Sequence, residues 1–277
     1  MEHQRRRLRS ARNPPFRGRG GSRGERTVPA WATRCYIGPM QRAVLITGAN
    51  RGLGRCLAAK FAKQGWRVFA GQRTLSSSQE VATARPAETS ATGAITPIAL
   101  DVSDGASVAS AARTLALCVQ GLDVLINNAA VNPVPESSAV IGELDFDAIR
   151  LAYDANAVGP LRVIQSFLPL LERGERKLIV NVSSEAGSLA HSWRDRSYGY
   201  CMSKAALNMQ TTILDRALRP RGFNVIAVHP GWLRTDMGGP NAHLDPADSA
   251  DGMYALIDGA DANTARFLQH DGKAFPW

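Results

Sequence analysis

Tyr200 and Lys204, in the stretch YCMSK, stand four residues apart in a segment whose pattern predicts a helix over Tyr198–Leu218. Four residues is about one helical turn, so both side chains leave the same face. A phenol can give up a proton, and an ammonium beside it favours the phenolate. That draws the tyrosine pKa down from its ordinary value of ~10 toward working pH. The pair suits delivery of a proton to the oxygen of a carbonyl under reduction, provided something else supplies a hydride. Alone the pattern is weak, since with five Tyr and five Lys chance places one in roughly a tenth of such chains.

A candidate hydride source lies near the front of the chain. In AVLITGANRGLGRCLAAKFAKQGWRVFAGQR, Ala43 to Arg73, an apolar run meets Gly48, Gly52 and Gly54 and then an amphipathic segment. Gly48 permits a sharp turn, Gly52 clears a side chain from the path of a pyrophosphate, and Gly54 lets helix and strand approach closely. Backbone N–H groups of the first helical turn, with the positive end of the helix dipole, would hold the phosphates. The second strand then ends in Gln72-Arg73, with no acid nearby. A cofactor with two free ribose hydroxyls wants a carboxylate there, whereas a 2′-phosphate wants positive charge. Arg73, and Arg51 within the turn, fit the phosphate because guanidinium makes charge-assisted, often bidentate bonds to it. NADP(H) is therefore expected over NAD(H).

These groups need a frame. Apolar runs at Ala43–Ile46, Arg67–Ala70, Ala94–Leu100, Val124–Ile126, Leu178–Val182, Val225–Val228 and Arg266–Gln269 alternate with helix-like segments. The helices are expected at Leu53–Gln64, Ala106–Val119, Phe146–Leu171 and Tyr198–Leu218. Continuous apolar strands alternating with helices predict one α/β domain over residues 40–277, a doubly wound parallel sheet with helices on both faces. Residues 1–39 are different: ten arginines and two glutamates give them +8 of the net +9. The domain is thus nearly neutral, and the charge says nothing of its substrate. Poor in aliphatics, the basic segment is expected to be disordered. It reads as a nucleic-acid-binding arm, a targeting peptide, or a leader upstream of a natural start at Met40. We favour the leader, and expect nucleic acid to bind only non-specifically through the arm.

The turn Thr47 to Gly54 also fits T-G-x-x-x-G-x-G, and here the sequence resembles the short-chain dehydrogenase/reductase family, over essentially all of residues 40–277. The resemblance implies a Rossmann-type sheet and a cofactor held along the turn by Gly48, Asn50, Arg51, Gly52, Leu53 and Gly54. It assigns the adenine to Asp101 and Val102, and further cofactor contacts to Asn128 and Ala129 in VLINNAA, where Ala130 replaces the usual glycine. The nicotinamide end falls to Pro230, Gly231 and Thr235. Tyr200 becomes the proton donor, and Lys204 also bonds the nicotinamide ribose. Of Ser183 and Ser184, the second is the serine that donates to the substrate oxygen, and Asn156 holds a relay water. Fifteen residues separate Ser184 from Tyr200, a few more than is common, so EAGSLAHSWRDRSYG should form an enlarged lip. The stretches PGWLRTDMGGPNA, SKAALNM and RFLQHDGKAFPW are similar to the C-factor/sniffer-type carbonyl reductase branch.

The expected activity is NADPH-dependent reduction of a small aldehyde or ketone to an alcohol. The alternative is a nucleotide-binding signalling protein with little need of turnover, against which the full set of Asn156, Ser184, Tyr200 and Lys204 argues. A homo-oligomer, dimer or tetramer, is expected. No apolar run reaches the ~18 residues of a membrane span, and four scattered cysteines fit reduced thiols in the cytoplasm. The five histidines have no metal-binding spacing, and His191 in the lip reads as a loop residue.

Overall fold

Seven parallel strands in the order β3-β2-β1-β4-β5-β6-β7 form the centre of the computed structural model, which describes residues 42–76, 93–133 and 143–277. The expectations for residues 1–39 and for Met40 lie outside the described residues. The strands are β1 (Ala43–Thr47), β2 (Arg67–Gln72), β3 (Ile95–Ala99), β4 (Val124–Asn127), β5 (Leu178–Val182), β6 (Asn224–His229) and β7 (Phe267–Gln269). The helices are α1 (Gly52–Lys63), α2 (Gly105–Cys118), α3 (Phe146–Tyr153), α4 (Gly159–Leu171), α5 (Tyr198–Leu218) and α6 (Pro246–Gly259). The chain winds outward from β1 in one direction, then returns past it through β4, so the order reverses between β1 and β4. In such sheets ligands bind outside the carboxyl ends of the strands at that reversal.

The apolar runs are continuous because both faces of the sheet are covered. Successive side chains alternate faces. Val44, Ile46, Val124, Ile126 and Val180 join Leu57, Phe61 and Met253 of α1 and α6 on one side. Leu45, Leu125 and Ile179 join Leu115, Val163 and Phe167 of α2 and α4 on the other.

Two features depart from the expected elements. The single helix expected over Phe146–Leu171 is interrupted by a π turn at Asp154–Val158, with Asn156 in its middle. Helix α6 was not expected at all. Asp245 caps it by accepting from Ala247 N–H at 2.8 Å, and Pro246 occupies its first turn. Its Lys60–Asp251 ion pair (2.7 Å) and the edge-to-face contact of Phe61 with Tyr254 lock it to α1. Among the described residues no helix is long and apolar enough to cross a membrane.

Candidate active site

Gly48 has φ +65°, the left-handed region that a side chain disfavours, and this lets the chain leave β1 sharply. Gly54 is required by proximity. A Cβ there would lie 2.5 Å from Asn128 Nδ2 and closer still to the Gly48 carbonyl oxygen. Asn128 closes the same turn by donating to the Thr47 (2.9 Å) and Gly48 (3.2 Å) carbonyls, while Asn128 N–H and Ala129 N–H both donate to Thr47 Oγ1 at 3.0 Å. Thr235 arrives from the loop after β6, its methyl 3.3 Å from where a Gly52 Cβ would stand. Helices α2, α3 and α6 each begin under an aspartate cap, whereas α1 has neither a side-chain cap nor an acid in its first turn. Its first N–H groups therefore remain available to an anion, with the helix dipole favouring negative charge. Glycine cradle and uncapped helix fit a pyrophosphate.

Around that turn the remaining residues divide. Asn50 and Arg51 are exposed, while the Leu53 side chain belongs to the core. Arg51 meets Asp236 at 2.6 Å in an exposed pair, so its guanidinium is shared with a carboxylate. Such a pair is worth roughly 0.2–1 kcal/mol, little enough for a phosphate to compete. Arg73 is exposed at the end of β2, close enough to Asp101 to favour its carboxylate. Asp101 also accepts from Ser103 N–H (2.9 Å) and Ser103 Oγ (2.5 Å). Val102 is buried against Gly159. Pro230 offers its carbonyl to Ser249 of α6 at 2.7 Å, and Gly231 (φ +88°) turns the chain beneath Leu244.

Helix α5 brings the other group to the same sheet edge. Lys204 is 2 % exposed, its Nζ donates to the Val182 carbonyl at 2.8 Å and lies 5.6 Å from the centre of the Tyr200 ring. Burial pushes the Lys204 pKa down to about 8, so the ammonium still predominates at neutral pH. The tyrosine does not behave as the sequence suggested. Burial pushes Tyr200 up to about 12, with Ser184 acting the other way and the Glu185 charge adding to the rise. The expected lowering fails because desolvation dominates.

The two serines end β5 pointing to different partners. Ser183 donates to Asn208 Oδ1 at 2.6 Å and is buried, whereas Ser184 lies beside Tyr200. Asn156 is brought to this group from the π turn. It accepts from Val131 N–H (2.8 Å) and donates both amide hydrogens, to the Val131 carbonyl (2.8 Å) and to Ser203 Oγ (3.0 Å). Ser203 in turn donates to the Tyr200 carbonyl at 2.7 Å. Both hydrogens of the Asn156 amide are thus engaged within the protein. Cys201 is half-buried, and burial raises its thiol pKa.

Sequence reasoning missed three residues. Glu185 follows Ser184 and accepts its hydroxyl at 2.6 Å, Arg194 of the lip bonds the other carboxylate oxygen at 2.5 Å, and His229 ends β6 3.6 Å away. The signal was present only as a carboxylate next to a serine and an arginine nine residues on, a pattern too common to single out. His191 stands apart from this group, exposed and edge-on to Phe275. The C-terminus steadies the lip: the Trp277 carbonyl accepts from Ala190 N–H (2.8 Å), and the Pro276 carbonyl from Ser188 Oγ (2.8 Å).

A doubly wound parallel sheet with a glycine cradle at its reversal, and a half-buried tyrosine with a buried lysine beside it, defines a dinucleotide-dependent oxidoreductase. Residues 42–244 match the short chain dehydrogenase family, and the chain belongs to it. It is an NAD(P)-dependent short-chain dehydrogenase/reductase. It is 41% identical over 162 residues to the C-signal of Myxococcus xanthus, covering 58% of this chain and 96% of that protein. Among solved structures it resembles an NADPH-bound carbonyl reductase from chicken fatty liver, with TM-score 0.72 and 31% identity over 86% of this chain and 100% of the other. The carbonyl reductase Sniffer of D. melanogaster is similar at TM-score 0.72 and 27% identity, with the same coverage of both chains.

Proposed function

We propose that the chain reduces small aldehydes or ketones to alcohols with NADPH. The observation that carries this reading is the half-buried Tyr200 beside the buried Ser184 and Lys204, on the sheet edge that also bears the glycine cradle. When bound, the nicotinamide supplies a hydride to the carbonyl carbon. Gly48, Asn50, Gly52, Leu53 and Gly54 would hold the pyrophosphate through the turn and the uncapped α1. Arg73 and Arg51 would meet the 2′-phosphate, Asp101 and Val102 the adenine, Asn128 and Ala129 the ribose side, and Pro230, Gly231 and Thr235 the carboxamide. NADPH in the similar chicken enzyme supports the cofactor choice.

Tyr200 then gives its phenolic proton to the oxygen that gains charge, ends as phenolate, and must be reprotonated before the next turnover. A phenol pushed up to about 12 keeps its proton at neutral pH, as a donor for reduction must. Lys204, largely ammonium at neutral pH, stabilises the phenolate once formed. Ser184 turns its hydroxyl from Glu185 to the substrate oxygen as charge builds there, and Asn156 links Val131 in the loop after β4 to Ser203 of α5. The C-signal likeness raises a signalling reading, but a binder has no use for a buried lysine and a half-buried tyrosine so arranged. Steady-state assay of purified protein with NADPH and a panel of aldehydes and ketones tests the proposal. NADPH oxidation coupled to alcohol formation is expected, and cofactor binding without turnover on any carbonyl would favour the signalling reading.

A further inference from the structure

The Ser184 hydroxyl has one proton and two claimants. On one side stands Glu185, whose Oε2 is 2.6 Å from Ser184 Oγ. Burial works to raise the Glu185 pKa, but hydrogen bonds from Ser184 and Arg194 and the nearby positive charge outweigh it and leave the group below the ordinary carboxylate value. An ionised carboxylate has only acceptors, so the proton between them belongs to Ser184 and points at Glu185. Ala186 N–H already donates to the same Ser184 oxygen at 3.2 Å. The hydroxyl thus turns toward the site an oxygen lone pair, and no proton.

On the other side stands Tyr200. Ser184 can stabilise its phenolate only by swinging the proton away from Glu185. The charged and titratable groups around this point come from every neighbouring element. They are Glu185 after β5, Arg194 in the lip, Cys201 and Lys204 on α5, and His229 at the end of β6, with His270 beyond it. His229 adds no charge. Its Nδ1 accepts the Glu185 N–H at 3.3 Å, so that nitrogen is unprotonated, and burial lowers the imidazole pKa. Arg194 is therefore the cation that grips the carboxylate, at 2.5 Å.

We propose that Glu185 is a positioning residue for proton transfer: by taking the Ser184 proton it withholds that donor from Tyr200 and keeps the phenol protonated, while Arg194 moderates its pull. The inference rests on the reductase reading. Glu185 biases the site toward reduction, since alcohol oxidation needs the phenolate. The enlarged lip acquires a role as the carrier of Arg194, the group that sets the strength of that bias.

Two substitutions in the full chain must act in opposite directions. Glu185→Gln removes a charge that opposes the phenolate and, by exchanging a carboxylate for a neutral amide acceptor, weakens the hold on the Ser184 proton. The acidic limb of alcohol oxidation with NADP⁺ moves to lower pH by about one unit, tenfold in rate on that limb. Arg194→Met removes a cation that favours the phenolate and leaves Glu185 ungripped, so the limb moves to higher pH. NADPH affinity stays within about twofold in both, since neither touches the cradle. Tyrosinate absorbance, taken as the difference between each protein and its Tyr200→Phe counterpart, reports the same shifts without turnover. Profiles that superimpose, or that move the same way in both variants as a loosened lip would make them, overturn the inference. If the native enzyme turns over no carbonyl or alcohol, the reductase reading falls, and the absorbance titration still decides what Glu185 does to Tyr200.

Discussion

Arg73 stands at the end of β2 beside Asp101, with its side chain exposed and no acid of its own strand to hold it. Reversing its charge should repel a 2′-phosphate and leave two ribose hydroxyls with an acceptor. Arg73→Asp is expected to lower the NADPH/NADH ratio of kcat/KM by roughly tenfold or more, about 1.4 kcal/mol. An unchanged ratio assigns the discrimination to Arg51. Lys204 presents the opposite situation, a buried charge kept at a cost. Its folded pKa near 8 lies below the ordinary 10.5, so the folded chain resists protonating it. The penalty is fully present below pH 8 and fades as pH rises toward the unfolded value, where both states are neutral. Lys204→Met should therefore raise Tm at pH 7 in the absence of cofactor, by an amount that shrinks by pH 10, while turnover is lost. Thermal melts at the two pH values check the sign.

Helix α5 shows how one element assembles the site. Ser203, Lys204, Leu207, Asn208, Thr211 and Asp215 recur at helical spacing and are all buried, so its inner face is largely polar. That face meets the sheet through Asn181, which donates to Thr211 Oγ1 and accepts from Asn127, both at 2.9 Å. Its bounds match the helix-like stretch read from the sequence, as those of β5 match an apolar run, although Ser197 at its start is in left-handed backbone (φ +62°) and makes no side-chain cap. The glycine turn was equally legible, since positive φ and close approach leave few substitutes for glycine. The π turn was not. DANAV follows α3 without a breaker, and the extra residue is stabilised by contacts from Val131 and Ser203, distant in sequence. Helix α6 escaped because its buried face is Ser249, Ala250, Met253 and Ile257, too small and polar to register as a stripe, although Asp245-Pro246 carried the start signal. The Glu185–Arg194 pairing spans nine residues of one loop, and its only trace in the sequence is a pattern too common to single out. Asn156→Ala would strand the Val131 N–H and carbonyl as well as an acceptor on Ser203. Chemical denaturation should show a loss of about 3 kcal/mol, three groups each at the low end of the ~1–3 kcal/mol for an unpaired group, because Val131 is only half-buried. A loss below ~0.5 kcal/mol would mean that the π turn stands without it.

Across the whole molecule, the carboxyl ends of β1, β4, β5 and β6 contribute Gly48, Asn128, Ser184 and Pro230 to one edge, and α6 braces that edge from behind through Ser249. A cofactor seated there binds the folded chain alone. NADPH at about a hundred times its Kd should add ~2.7 kcal/mol of stability and raise Tm by roughly 5–10 °C, with a smaller rise for NADH. At this edge, on the reading proposed above, a hydride passes from NADPH to a carbonyl while Tyr200 supplies the proton. The most direct measurement is a single turnover with NADPH deuterated at the transferring position of C4, with mass analysis of the product. One deuterium is expected on the carbinol carbon of the alcohol formed by the native enzyme, with a rate roughly 10²–10⁴ lower in Tyr200→Phe, the usual contribution of a general acid. Tight NADPH binding with no deuterium delivered to any carbonyl, or a Phe variant as fast as the native enzyme, would contradict it.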